Sequence, residues 1–402
     1  MRVLSPTLLL AVIYACSANY SPLSYTERPC GSNLTNLWLD IVVVVDNSLG
    51  MGDTGLINIG ANLQSIFSSG TQIGTNPDEP RTTRFGLVTY NEVATIKADL
   101  NKYQSVDDLY VTLPQDLMPL SNSTTSYLET GLTAAERVLQ SGRSDGTNRV
   151  NYKQVVLIYA SAYTANGEDD PVQVATRMKT DGAKIITVAY DQKGGEDLLQ
   201  ELSVIASPRF NFSNARDGNP LIGDIQTAFL EANCFCLNDW LQYRDDFHDV
   251  LSQPYGTCIQ PVNLPATWRS AQSSCRQRSP DSHLVSEFSQ AKHDFIYEVV
   301  KSTNGFSSPY KYHIGLNFGD AGWSWDQPYG WKQPTLSQNW TNWNEGYPVQ
   351  SSQMSGCRNN QNGLLTVWQN VPTMSVQNGG NNYVCEMYSC DTDNFCANNE
   401  LF

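Results

Sequence analysis

The stretch that decides the fold of the first part of the chain reads Leu37-Trp38-Leu39-Asp40-Ile41-Val42-Val43-Val44-Val45-Asp46-Asn47-Ser48-Leu49-Gly50. Its apolar residues occupy consecutive positions, which predicts a strand buried on both faces at the centre of a parallel sheet. At its carboxyl end, Asp46 and Ser48 would face the crevice where open α/β sheets bind ligands. The stretch therefore predicts a polar site at the end of a central strand.

Strand-like and helix-like segments alternate from about residue 37 to residue 234. Such alternation predicts an α/β doubly wound, mainly parallel sheet with helices on both faces. The expected strands are residues 37–45, 84–90, 94–100, 154–160, 184–190 and 209–212. The expected helices are residues 56–68, 127–140, 172–180, 196–206 and 219–232.

The composition changes after Cys234, where Trp becomes frequent and amphipathic patterns become rare. Two helices are expected, at residues 265–278 and 287–300, followed by a segment rich in Gly, Asn, Ser, Gln and Pro. Such a segment forms short strands and long loops. We expect an α+β, loop-rich domain at residues 236–388 that abuts the domain at residues 30–234, then a short tail at residues 389–402.

The first 18 residues have the pattern of an export signal. Arg2 is the positive start, residues 8–15 are apolar, and Cys16-Ser17-Ala18 offers a cleavage site of small residues. The alternative is a buried N-terminal strand. No later stretch approaches the ~18 apolar residues of a membrane span. We therefore expect a secreted, extracellular protein with no membrane insertion.

Cysteine usage agrees with secretion. Ten cysteines occur, nine of them after the signal, and none forms Cys-x-x-Cys. Disulfides are therefore expected instead of zinc or redox chemistry. The sequons at Asn33, Asn122, Asn211 and Asn339 are candidate glycosylation sites in an exported chain.

Charge and motifs exclude several function classes. The net charge of −15 argues against nucleic acid and anionic membranes as partners, although it also fits a merely solvated acidic exterior. The sequence contains no His-Glu-x-x-His, Gly-x-Ser-x-Gly or phosphate-binding Gly-x-x-x-x-Gly-Lys-Ser/Thr pattern. We expect a non-enzymatic protein without a cofactor.

Residues 30–234 resemble a von Willebrand factor type A domain. In that family, Asp-x-Ser-x-Ser, a Thr of a second loop and an Asp of a third loop hold Mg²⁺. Asp46 and Ser48 match the first loop, in which Gly50 replaces the last Ser. Ser126, which precedes Tyr-Leu-Glu-Thr-Gly-Leu, takes the Thr position, and Ser161 stands in place of the acid.

The resemblance thus implies a degenerate metal site of Asp46, Ser48 and Ser126. Mg²⁺ gives up its water reluctantly, so one carboxylate and two hydroxyls should hold it poorly. In the alternative interpretation, Asp46 and Ser48 order the loop through bonds to backbone N–H groups. The neighbouring acids that would have to rebuild a site are Asp53, Glu168, Asp169 and Asp170.

Residues 258–388 resemble a C-type lectin-like domain. The matching segments are residues 267–275, 283–285, 313–316 and 383–386. The resemblance implies a disulfide between Cys275 and Cys385. Thr373 replaces one cysteine of the family's second bridge, so Cys357 is free, available for an intermolecular disulfide that links a dimer, or paired with the tail. For the other cysteines we favour the pairs Cys30–Cys234, Cys236–Cys258 and Cys390–Cys396.

The calcium ligands of that family are largely missing. Tyr347-Pro348-Val349 keeps only the proline of the usual Glu-Pro-Asn, and Gln369-Asn370 carries no charge. Glu345 is the nearest acid. We therefore expect ligand binding without calcium, through Trp331, Tyr347, Glu345, Gln369 and Asn370. Trp340 and Trp343 fall where the family buries core aromatics.

The pairing of these two domains resembles secreted nematode proteins for which recognition of microbes or matrix is inferred. The sequence therefore predicts a secreted recognition or adhesion protein that binds glycan or extracellular protein. The alternative is a structural component of the extracellular matrix in which both domains make protein–protein contacts.

Overall fold

The computed structural model describes residues 27–397 except residues 69, 77, 165–169, 191–196, 216–219, 321, 331–339, 352 and 376–379. The first sheet has six strands: β1 (Leu39–Asp46), β2 (Arg84–Tyr90), β3 (Ala94–Ala98), β4 (Lys153–Ala160), β5 (Lys184–Ala189) and β6 (Asn211–Ser213). Their order is β3-β2-β1-β4-β5-β6; β3 runs antiparallel to β2, and the other neighbours are parallel.

Six helices accompany this sheet: α1 (Gly52–Ile66), α2 (Val106–Leu117), α3 (Leu128–Arg143), α4 (Pro171–Thr180), α5 (Asp197–Leu202) and α6 (Leu221–Ala232). Alternate residues of β1 enter different cores. Ile41 and Val43 pack in the layer with α1, α2 and α6, whereas Val42 and Val44 pack in the layer with α3 and α4. The predicted doubly wound sheet with a doubly buried central strand is confirmed.

Two local predictions for this domain were incomplete. Helix α2 was not expected because Pro114 lies inside it, yet Ser105 Oγ caps its start by accepting from Asp108 N at 3.0 Å. Helix α1 begins at Gly52, earlier than the expected residue 56. Gly52 has a φ of +68°, which favours glycine and allows the turn between Asp46 and the helix.

The second sheet carries the other domain. Its strands are β7 (Leu241–Arg244), β8 (Pro254–Ala266), β9 (His283–Leu284), β10 (Lys311–Gly319), β11 (Gly322–Trp325), β12 (Gly356–Asn362), β13 (Leu365–Val371) and β14 (Asn381–Tyr388). The main order is β13-β12-β10-β14-β8-β7, with β11 on β10 and β9 on β14. Two helices, α7 (Trp268–Arg276) and α8 (Gln290–Ser302), pack on it. Both helices begin later than expected, because Thr267 and Ser289 cap them.

The two domains contact each other directly. Trp38, fully buried at the start of β1, packs against the rings of Phe235 and Phe395, and its Nε1 donates to Asp391 O at 3.0 Å. Arg28 forms an ion pair with Asp391, from the opposite end of the chain. Residues 389–397, the described part of the tail, therefore lie in the junction and tie the second domain to the first.

Candidate functional site

The predicted metal-site residues of the first domain come together at the carboxyl end of β1. Asp46 is fully buried, and its Oδ1 accepts from Ser48 N at 2.8 Å. Its Oδ2 accepts from Ser126 Oγ at 2.9 Å and from Ser161 Oγ and N at 2.6 and 3.2 Å. Burial, and then the negative charge of Asp46, raise the pKa of Tyr90 beside it. A single buried carboxylate thus sits within a shell of neutral donors.

This arrangement does not fit the Mg²⁺ that the fold family implies. Both carboxylate oxygens already accept hydrogen bonds, and the described residues contain no cluster of three or more His, Cys, Asp or Glu placed for a metal. Asp170 instead caps α4 by accepting from Val172 N. The geometry agrees with the interpretation that Asp46 orders its loops. Glu168 and Asp169 lie outside the described residues.

Gly50 marks the position of the lost hydroxyl. A Cβ added there would lie 3.0 Å from Ser161 Oγ and 3.5 Å from Ser48 Oγ. A serine at this position would therefore place its side chain in the same polar cluster. The fold keeps the shape of a metal site but has Ser161 where the second carboxylate would lie and no hydroxyl at position 50.

A second candidate site lies among the long loops of the second domain. It is a pocket of about 420 Å³ lined by Phe318, Trp323, Pro348, Val349, Gln350, Ser351, Met354 and Asn370. The Phe318 ring is about half exposed and lies 5.4 Å from Trp323, which in turn lies 4.9 Å from Trp343. Among the described residues, the lining contains no carboxylate. The sequence does not single out Phe318, and it offers Trp323 only as one of five tryptophans between residues 323 and 343 whose rings could stack on a sugar.

The Asn370 side chain holds the loop that lines this pocket. Its Nδ2 donates to the carbonyls of Val349 and Met354, both at 2.8 Å, and its Oδ1 accepts from Val349 N at 2.8 Å. The side chain is 1% exposed. The expectation that Asn370 contacts a ligand directly is therefore wrong, because all of its amide groups are used to hold the loop.

The other predicted ligand residues are more dispersed. Tyr347 is half-buried and joins the lining Pro348 through a cis peptide bond. Glu345 is exposed on the same loop, and Gln369 accepts from Arg358 Nη2 at 3.2 Å. Trp331 lies outside the described residues. Tyr347 and Glu345 thus remain available beside the pocket, whereas Gln369 is held by a neighbouring strand.

Trp340 and Trp343 are partly buried and pack against the core of the second domain. Their rings lie 5.2 and 5.6 Å from the fully buried ring of Trp368. Trp368 Nε1 donates to Glu287 Oε2 at 2.6 Å, and His293 Nδ1 lies 2.9 Å from the same oxygen. Glu287 is the central acceptor of this core, a role that no sequence motif indicated.

The structure contains the disulfides Cys30–Cys234, Cys236–Cys258, Cys275–Cys385 and Cys390–Cys396, the same four pairs that the sequence favoured. Cys357 is free and fully buried. Burial, and then the charge of Glu287, raise the pKa of its thiol well above the ordinary value. The expectation of a reactive thiol or a disulfide-linked dimer through Cys357 therefore does not agree with its position.

The candidate glycosylation sites differ in their surroundings. Asn33 and Asn122 are exposed. Asn211 lies in β6, where its Nδ2 donates to Leu199 O at 2.8 Å, so the nitrogen that a glycan would occupy is already bonded. Asn339 lies outside the described residues. Asn33 and Asn122 are thus more accessible than Asn211, and glycosylation at all four positions stays a prediction.

Within the described part of the chain, no helix has the length and apolar character needed to cross a bilayer. Four disulfides in one chain are typical of secreted proteins.

Comparison with known proteins identifies both domains. Residues 40–228 match the von Willebrand factor type A domain family, and residues 264–388 match the lectin C-type domain family. C-type lectin domain-containing protein 160 of Caenorhabditis elegans is 26% identical over 389 residues, which cover 92% of this chain and 56% of that protein. The chain thus spans about half the length of this relative. The mouse collagen alpha-6(VI) chain is 23% identical over 212 residues, 53% of this chain and 8% of the collagen.

Among solved structures, proximal thread matrix protein 1 of the mussel byssus is 18% identical, with a TM-score of 0.40, and the match covers 52% of this chain and 49% of that one. The C-type lectin domain of murine dendritic cell inhibitory receptor 2, solved with an N-glycan, is 23% identical, with a TM-score of 0.28, covering 38% of this chain and 98% of that one. On the two family matches, the chain combines a von Willebrand factor type A domain with a C-type lectin domain, both of them non-catalytic binding domains.

Proposed function

We propose that this chain is a secreted recognition and adhesion protein whose C-type lectin domain binds an extracellular glycan or protein without calcium. The observation that carries the proposal is the loop pocket, which combines exposed aromatic and aliphatic side chains with few polar groups. A Ca²⁺ site needs six to eight oxygen ligands, several of them carboxylates. Among the described residues, this pocket offers none of those carboxylates.

The aromatic wall supplies the binding surface. Phe318 and Trp323 meet edge to face, and Trp343 supports Trp323 from the core side. Flat apolar rings of this kind stack on the hydrophobic face of a sugar or on an apolar side chain of a protein. Gln350 and Ser351, which also line the pocket, offer amide and hydroxyl groups that could fix the orientation of a ligand.

The pocket is preorganised by Asn370. Its three hydrogen bonds hold the loop of Val349 and Met354 in one position. In calcium-binding sites the ion often does this work of ordering a loop, whereas here a buried amide does it. A ligand therefore meets a formed surface and loses less free energy to loop ordering on binding.

The alternative function, a structural matrix component, is favoured by one feature of the type A domain. Helices α1 and α2 leave an apolar groove of about 220 Å³ in which Ile57, Pro114 and Met118 take part, and Ile57 is 64% exposed. A protein partner would suit this groove better than a sugar would. In this alternative, both domains bind proteins and neither binds glycan.

A binding screen separates the two functions. Full-length protein is applied to a glycan array and to a panel of immobilised matrix proteins, in parallel with the variants Trp323→Ala and Phe318→Ala. Tyr329→Ala is the matched control, because Tyr329 is an 88% exposed aromatic residue of the same domain outside the pocket lining. The proposal expects a ligand whose binding is lost in the pocket variants and kept in the control. Binding that is as strong in both pocket variants as in the wild type would contradict the proposal.

A further inference from the structure

A separate cleft lies between the two domains, at the end of the first sheet opposite Asp46. It has a volume of about 250 Å³ and lies between the amino end of β5 and the hairpin of β7 and β8. Lys184 opens β5, Arg244 closes β7, and Arg209 of the first domain also lies in the lining, so both domains contribute cations to the cleft. This basic lining contrasts with the net charge of −15 for the whole chain.

Two of the three cations of this cleft lack acidic partners among the described residues. Neither Lys184 nor Arg244 forms an ion pair with any described residue. The one carboxylate among the described lining residues, Glu231, is bound to Arg209, with Nη2 to Oε1 at 3.0 Å and Nε to Oε2 at 3.3 Å. Two positive charges therefore face the same cleft without compensation.

Arg209 fixes one end of the cleft. Its φ of +71° is uncommon for a residue with a side chain. Its guanidinium donates to Leu251 O at 3.0 Å and to Gln253 Oε1 at 2.9 Å in the other domain. Since these bonds hold the two walls together, the distance between Lys184 and Arg244 is set by the junction and not by a flexible linker.

The electrostatics of the neighbouring cations agree with this description. Loss of water in the cleft, and then the charge of Arg244, lower the pKa of Lys184. Loss of water, and then the charges of Lys184 and Arg143, lower the pKa of Lys153 on the adjacent strand. The positive charges of Lys153, Lys184 and Arg244 therefore repel one another. An anion placed beside them would relieve that repulsion.

We propose that this interdomain cleft is a binding site for a tetrahedral oxyanion, a sulfate or phosphate group, held between Lys184 and Arg244. The group arrives either as a free inorganic ion or as an ester on a glycan. A volume of about 250 Å³ is below the ~300 Å³ at which drug-sized ligand pockets begin, so the cleft suits one anionic group with little attached to it. The site is independent of the lectin pocket and of the proposed function.

The test is isothermal titration calorimetry of the full-length protein at low ionic strength. The probes are inorganic sulfate, inorganic phosphate, a sulfated disaccharide and the same disaccharide without sulfate. We expect saturable binding of at least one anionic probe and none of the neutral disaccharide at this site. Lys184→Ala/Arg244→Ala should weaken it by about tenfold or more, the effect of removing charged hydrogen-bond donors. Preference for the sulfated disaccharide over free sulfate identifies an ester as the natural form.

The matched control is Arg137→Ala/Arg278→Ala, which removes two exposed cations outside the cleft and changes the net charge equally. Lys184→Gln, a single change at a solvent-accessible side chain, provides the test if the double variant fails to fold. Retained binding in the cleft variants, equal loss in the control, or no saturable binding by the wild type would each overturn the proposal.

Discussion

The Ser161 hydroxyl donates a 2.6 Å hydrogen bond to Asp46 Oδ2. A neutral donor thus satisfies part of the hydrogen-bonding capacity of a fully buried carboxylate. Together with the donors Ser48 N and Ser126 Oγ, this bond satisfies the buried acid through groups of the chain itself. It also means that a divalent cation would have to displace Ser161 and Ser126 from the same oxygen. The loops around Asp46 are therefore stable as a hydrogen-bonded cluster.

We predict that millimolar Mg²⁺ leaves the thermal unfolding of the wild-type protein unchanged, and that Gly50→Ser/Ser161→Asp creates magnesium dependence. Without Mg²⁺ the double variant should be less stable than the wild type, because a second carboxylate would repel Asp46. Mg²⁺ should restore stability in a saturable manner. Differential scanning fluorimetry with and without Mg²⁺ measures both effects.

One result would directly contradict the magnesium prediction. A saturable shift in the wild type that disappears in Asp46→Ala would show that the hydroxyl cluster binds the ion after all. Gly50→Ser alone serves as the control, since it adds a hydroxyl without adding charge.

Cys357 should behave as a core residue. Because its thiol is fully buried and its pKa is raised, we expect Cys357 to resist a thiol reagent in the native protein and to be labelled after unfolding. Cys357→Ala should cost about 1 kcal/mol and leave the monomer unchanged. Rapid native labelling, or a dimer that only reduction separates and Cys357→Ala abolishes, would contradict the burial of this thiol.

A buried ionic cluster gives the lectin domain a defined pH dependence. Glu386 lies 2.9 Å from both His283 Nε2 and Lys292 Nζ, and Lys292 also pairs with Glu27 at 3.3 Å. Burial opposes the charged form of Glu386, but Lys292 and His283 outweigh it and lower its pKa to about 2. Burial likewise opposes charge on His283, but Glu386 outweighs it and raises that pKa above the ordinary 6.5.

The directions of these two pKa shifts mean that the cluster stabilises the fold only within a limited range of pH. The contribution of His283 is complete below pH 6.5 and is lost as pH rises through its higher folded pKa. The contribution of Glu386 is complete above its ordinary pKa of 4.5 and is lost as pH falls toward about 2. Urea unfolding across pH should therefore show a loss above pH 6.5 that is smaller in His283→Gln. If His283→Gln lost as much stability above pH 6.5 as the wild type does, the assignment of this loss to His283 would be contradicted.

The junction should make the two domains unfold together. Trp38 is fully buried between Tyr152, Phe235 and Phe395. Trp38→Ala should cost about 3–5 kcal/mol, the usual range for removing a core tryptophan. Calorimetry is expected to show one transition for the wild type and two for the variant. Two transitions already present in the wild type would mean that the interface does not couple the domains.

The sequence predicted those features that depend on local pattern. The central strand β1 followed from its consecutive apolar residues, and the cluster of Asp46, Ser126 and Ser161 followed from the resemblance to the loops of the type A domain. Features that depend on distant packing were missed. Phe318 and Trp323 meet in the hairpin of β10 and β11, but they line a pocket only once residues 348–354 and Asn370 pack against them in the folded domain. Lys184 and Arg244 meet only because the domains dock, and a sequence pattern does not encode docking.

Helix α2 was not predicted from the sequence for a different reason. Pro114 lies inside it, and proline normally ends a helix because it lacks the N–H donor and its ring clashes with the preceding turn. Here the buried Leu109, Leu113 and Leu117 hold the helix against the core. Tertiary packing therefore overrode local propensity, and the spacing of those three leucines was the signal that would have revealed it.

The measurement that tests the account most directly is binding of a ligand found in the glycan and matrix screen, repeated in excess chelator and in added Ca²⁺. The account predicts equal affinity in both, and weaker binding in Trp323→Ala and Tyr347→Ala under both conditions. Complete loss of binding in chelator, restored by Ca²⁺ and abolished in Glu345→Gln, would contradict it and would place a calcium ion beside the exposed Glu345.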